Sequence, residues 1–119
     1  MKDLEFMYVF NQGGTMTESS NYDAAPPVPP AYGVWRATGE RQFEAKYLFY
    51  VTRAPAKVDE IMSGGGWMPA GYGEFTERIT LSKDGKTFTS SMKYVAFDQS
   101  GRPVEGGGEA KCSGRRIGF

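Results

Sequence analysis

The chain contains no histidine. That removes the side chain most often used as a general base near neutral pH, and the commonest protein metal ligand. A single cysteine, Cys112, leaves no partner for an intrachain disulfide and no paired-thiol metal or redox motif. An excess of either charge is also missing, because 14 Lys and Arg balance 14 Asp and Glu. Proteins that hold nucleic acid need a basic field, so nucleic acid is not an expected partner. No apolar run nears the roughly 20 residues that cross a bilayer as a helix, so no membrane partner is expected either. The charged, alternating start Met1-Lys2-Asp3-Leu4-Glu5-Phe6 lacks the apolar core of an export signal. Together with the free thiol, this points to a cytoplasmic protein. Leucine and isoleucine are scarce, at three each, which counts against a helical bundle.

What the chain does hold is aromatic: 8 Phe, 7 Tyr and 2 Trp, together with 16 Gly and 7 Pro, in 119 residues. Aromatic residues suit a pleated sheet, and Gly and Pro punctuate it with turns. The length fits one domain over residues 1–119. Alternation marks the strands. Leu4, Phe6, Tyr8 and Phe10 share a face, and Asn11-Gln12-Gly13-Gly14 turns the chain into a Thr-rich strand from Thr15 to Ser19. Residues 21–30 hold four prolines and read as an extended connection, or alternatively as a lip over a pocket or a ligand for a partner's groove. A short strand follows over Tyr32–Ala37. The clearest strand runs from Arg41 to Thr52, with Phe43, Ala45, Tyr47, Phe49 and Val51 on one face. Its other face turns from polar to apolar, as though the strand passes beneath another element. Residues 56–62 fit one or two helical turns or a short strand. Residues 63–73 read as a long Gly-rich loop carrying Trp67 and Tyr72. Strands are expected over Glu74–Leu81, Thr87–Phe97 and Glu109–Ile117. Asp84-Gly85 suggests a two-residue hairpin turn, and residues 105–108 suggest flexibility or a bulge. The sum is an all-β antiparallel meander of about seven strands, forming a barrel or a curved half-barrel with at most one short helix.

Several of these segments carry a family resemblance. Asn11 to Ser20, the Gly33-Val34-Trp35 strand, Glu77 to Leu81, Phe97 to Gly101 and Gly114-Arg115-Arg116-Ile117 together resemble calycin-like proteins, the small lipocalin and allene-oxide-cyclase-like barrels. The chain is also similar in style to environmental bacterial proteins carried on mobile gene cassettes. The resemblance implies a meander barrel that holds a small apolar ligand. It also implies that Trp35 packs beside an arginine near the chain end, Arg115 or Arg116. The strands number about one too few for a closed eight-stranded barrel. A homo-oligomer, most simply a dimer, would supply the missing pairing; otherwise the sheet stays open.

The candidate site follows from the aromatic set. Trp35, Tyr47, Phe49, Phe75 and Tyr94 can line one enclosed space, with Trp67 and Tyr72 on the loop above, and the same rings can equally form a solid core. Glu77 shares a face with Phe75 and Ile79, so it is the candidate acid–base group. The competing reading pairs it with Arg36, Arg78 or Lys93. Cys112 has basic neighbours that would lower a thiol pKa, but no histidine is present to serve as its base, so a buried inert thiol is the simpler reading. Gly64-Gly65-Gly66 and Gly106-Gly107-Gly108 lack phosphate-loop spacing, and no Asp-x-Asp-x-Asp-Gly loop is present, so no cofactor or metal is expected. Three functions remain: binding of a small apolar or aromatic molecule, a cyclase- or isomerase-type reaction using one pocket carboxylate, and an adaptor role through oligomer or partner contacts.

Overall fold

Alternation gives the sheet an inward side, and rings from five of its seven strands face it. The computed structural model describes residues 3–21, 30–64 and 66–119. Its strands are β1 (Phe6–Phe10), β2 (Thr15–Ser20), β3 (Ala31–Gly39), β4 (Gln42–Arg53), β5 (Met68–Leu81), β6 (Thr87–Phe97) and β7 (Pro103–Arg115). They form one antiparallel sheet in sequence order, β1-β2-β3-β4-β5-β6-β7. The sheet curls into a half-barrel. The described residues contain one short helix, α1 (Val58–Met62), between β4 and β5. Among them no helix is long and apolar enough to cross a membrane.

The register carries the inward face from strand to strand. Tyr8 stands opposite Glu18, Met16 opposite Gly33, Trp35 opposite Ala45, Tyr47 opposite Phe75, Phe75 opposite Tyr94, and Ser90 opposite Cys112. The most buried apolar residues, Met16, Ala31, Ala45, Tyr47, Ile79 and Met92, all lie on this concave face. The convex face carries the charges. Arg36 and Arg78 flank Glu44 at 2.8 and 3.7 Å, and Lys46 meets Glu74 at 3.5 Å. Such exposed pairs contribute about 0–1 kcal/mol each, so burial of the rings on the other face is what stabilises the sheet.

Several expectations change. The 63–73 stretch is mostly not a loop, since β5 begins at Met68. Gly73 is in the sheet because of a close approach. A Cβ there would lie 2.6 Å from the Phe49 ring and 2.7 Å from the Tyr94 ring. Its glycine serves packing, not loop flexibility. The last strand begins at Pro103, earlier than expected, and absorbs Gly106–Gly108 within a register shift opposite Tyr94/Ala96. The Asp84-Gly85 turn is wider than two residues. Ser82 N–H donates to the Thr87 carbonyl, and Gly85, with φ 69°, is the only residue there with positive φ. A two-residue primed turn would need positive φ at Asp84 as well. Of the two readings of residues 56–62, the helix is the one found, but Val58, Ile61 and Met62 are exposed. No described element covers the second half of β4's outer face, where Tyr50 is 77% exposed. The Pro-rich reading of residues 22–29 falls outside the described residues.

Candidate functional site

The half-barrel does not close. β1 and β7 are the two ends of the sheet, and among the described residues neither has a second strand partner. Curling nevertheless brings β1 over the opposite wall. Phe6 meets Phe75 edge to face at 6.1 Å, and Tyr8 meets Phe88 at 6.4 Å. Between the two ends lies a cavity of about 480 Å³. Its walls include Phe6 of β1, Glu18 of β2, Phe49 of β4, Phe75 of β5, Met92 and Tyr94 of β6, and Ala110 and Cys112 of β7.

A column of rings forms one wall. Phe75 stacks on Tyr47 at 5.1 Å and on Phe49 at 5.6 Å, and lies 5.0 Å from Tyr94. Beneath it runs a buried polar network. Tyr47 and Glu77 are both 0% exposed, and the Tyr47 hydroxyl donates to Glu77 Oε2 at 2.9 Å. The Ser90 hydroxyl donates to Glu77 Oε1. Tyr8 Oη lies 3.4 Å from Tyr47 Oη. Tyr47 has one hydroxyl proton and spends it on Glu77, so Tyr8 is the donor in that contact. Both Glu77 oxygens are therefore satisfied. Burial, and then the charge of Glu77, push the Tyr8 and Tyr47 phenols up, so both remain protonated.

Glu18 is different. It is 5% exposed, it lines the cavity, and its Oε1 has no hydrogen-bond partner. Burial, and secondarily the charge of Glu77, push its carboxyl from 4.5 up to about 7. It therefore stands near half-ionisation at neutral pH. The sequence signal for it existed. Met16 and Glu18 alternate on one face of β2, so a buried Met16 implies a buried Glu18.

The structure sorts the expected site residues. Phe49, Phe75 and Tyr94 line the cavity. Tyr47 lies behind them in the core, among the rings but outside the lining. Trp35 sits toward the other end, against Phe10 and Phe43, and donates from Nε1 to the Asn11 carbonyl at 2.9 Å. Arg115 at the end of β7 and Arg116 just past it are exposed, and neither is among these partners of Trp35. Trp67 is half-buried before β5 and does not line the cavity. Tyr72 lies on β5 itself, on the convex face, stacked on Phe97 at 4.8 Å. It is thus removed from the site, because the strand begins earlier and alternation turns its ring outward. Glu77 does share a face with Phe75 and Ile79, but its partners are Tyr47 and Ser90, not Arg36, Arg78 or Lys93, which the register places on the convex face. Burial first, and then the charge of Glu77, push the Cys112 thiol up, opposite to the direction that would activate it. Among the described residues no three carboxylate or thiol groups converge to hold a metal. No protein-family model, curated protein or solved structure matches this chain.

Proposed function

We propose that the concave cavity binds a small, largely apolar or aromatic molecule carrying one polar group that meets Glu18. The observation that supports this most strongly is Glu18 itself: a buried carboxyl, one oxygen unpartnered, in the lining of a cavity that also includes Phe6, Phe49, Phe75 and Tyr94. A solid core would leave neither that space nor that oxygen, since buried polar groups normally find partners. A cavity of about 480 Å³ is of the size that holds small ligands, whose pockets are mostly apolar with a few placed polar groups. The test is binding of an apolar fluorescent probe, N-phenyl-1-naphthylamine, to the wild type and to Ala110→Phe, which would fill the cavity from the β7 side. Wild-type binding is expected, weakened at least tenfold in Ala110→Phe with the melting temperature kept. Equal binding by both, or none by either, overturns the reading.

A second reading, proton-transfer catalysis on a bound ligand, draws support from Glu18 being poised at about 7, where a general acid or base works best at neutral pH. The acting group would then be Glu18 and not Glu77, because both Glu77 oxygens already accept hydrogen bonds. Exchange of an enolisable ligand's proton with solvent, lost in Glu18→Gln, is the corresponding measurement.

A further inference from the structure

The charge distribution narrows the ligand class. The concave face holds two buried carboxyls, Glu18 and Glu77. The register turns Arg36, Lys46, Arg78 and Lys93 to the convex side, and among the described residues neither carboxyl forms an ion pair. Glu109 and Lys111 also line the cavity, one charge of each sign. Glu77 is served by two hydroxyl donors, whereas Glu18 lines the cavity and its buried Oε1 has no partner. A buried carboxylate without a countercharge is costly. A ligand that brought its own positive charge would offset that cost, and Phe49, Phe75 and Tyr94 in the lining would contact its apolar body. A ligand carboxylate would instead set a further acid beside Glu18.

From this arrangement, and resting on the cavity-binding reading above, we infer that the ligand is an organic cation: an ammonium group attached to an aromatic or apolar body, with the ammonium at Glu18 and the body against the ring wall. An ammonium ion favours ionised Glu18, so binding releases the proton Glu18 carries near neutrality. The other titratable groups facing Glu18 and its network are Glu77, Tyr8, Tyr47 and Cys112, with Glu109 and Lys111 in the cavity lining. The two phenols and the thiol, all pushed up, stay protonated through this range.

The experiment is calorimetric titration with 1-naphthylmethylammonium and with its neutral counterpart 1-naphthylmethanol, at pH 6 and pH 8. The ammonium compound is expected to bind at least tenfold more tightly than the alcohol at pH 8. That preference should shrink roughly tenfold at pH 6, as a group titrating near 7 becomes protonated. Glu18→Gln should abolish both the preference and its pH dependence. If the alcohol binds as well as the ammonium compound at pH 8, or the preference survives in Glu18→Gln, the cation inference fails and cavity binding stands. If neither compound binds the wild type, both readings fall. Should Glu18→Gln not fold, the wild-type preference and its pH dependence decide the matter.

Discussion

Glu18 and Glu77 are the same side chain on the same concave face, yet their surroundings give them different roles. Glu77 is held by Tyr47 and Ser90, while Glu18 keeps an open oxygen. The raised Glu18 pKa has a consequence for stability. In the unfolded chain this carboxyl ionises near 4.5, in the folded chain only near 7. Its contribution to stability is therefore fully present below about pH 4.5, declines as pH rises to about 7, and is flat above. A shift of this size corresponds to about 3 kcal/mol. Urea unfolding at pH 4 and pH 8 is expected to show Glu18→Gln gaining about that much on the wild type between the two. A gap that does not change with pH would contradict it. Tyr47→Phe tests the neighbouring network. It leaves Glu77 Oε2 buried without its donor, an expected loss of about 1.5–3 kcal/mol in the same measurement.

At the scale of the element, β3 and β4 meet more closely than ordinary side chains allow. Gly33 stands opposite Tyr47, and a Cβ at Gly33 would lie 2.0 Å from the Lys46 carbonyl oxygen and 2.6 Å from the Tyr47 Cα. These are backbone atoms of a paired strand, so they cannot swing aside. Gly33→Ala is expected to cost at least about 2 kcal/mol, read from the denaturation midpoint. A near-neutral result would mean that β3 can shift relative to β4. The glycine of the Gly33-Val34-Trp35 run thus has a local reason: it lets the fully buried Tyr47 sit against the neighbouring strand.

For the whole molecule, the decisive feature is that the sheet curls without closing. The radius of gyration is 16.4 Å, against about 13.5 Å for a compact chain of this length, as suits an open, hollowed sheet. β7 is exposed over most of its length and pairs only with β6. Its outward amides have no ladder partner, whereas β4 and β5 are paired on both sides. Hydrogen exchange is expected to be at least tenfold faster at alternate β7 amides than in β4 or β5. Uniform protection of β7 would contradict an open edge. If that protection grew with protein concentration, a second copy would be pairing there.

The sequence by itself determined the all-β class, the number of strands and the inward face of β4 and β5. Those features follow from local alternation and turn residues, such as Phe43 to Val51 and Asp98 to Gly101. It also held the clue to Glu18, in its spacing from Met16. The curl of the sheet was needed to show that Tyr72 faces outward, that Trp35 lies outside the cavity, and that Glu18 and Glu77 are both buried on the concave face. These depend on how far the sheet curls and where it is interrupted. Those are set by contacts such as Phe6 with Phe75 and by the bulges opposite Tyr94 and Val51, between residues distant in the chain. Periodicity tells which side of a strand a residue occupies; only the closure of that side around a space decides whether it fills a core or lines a cavity.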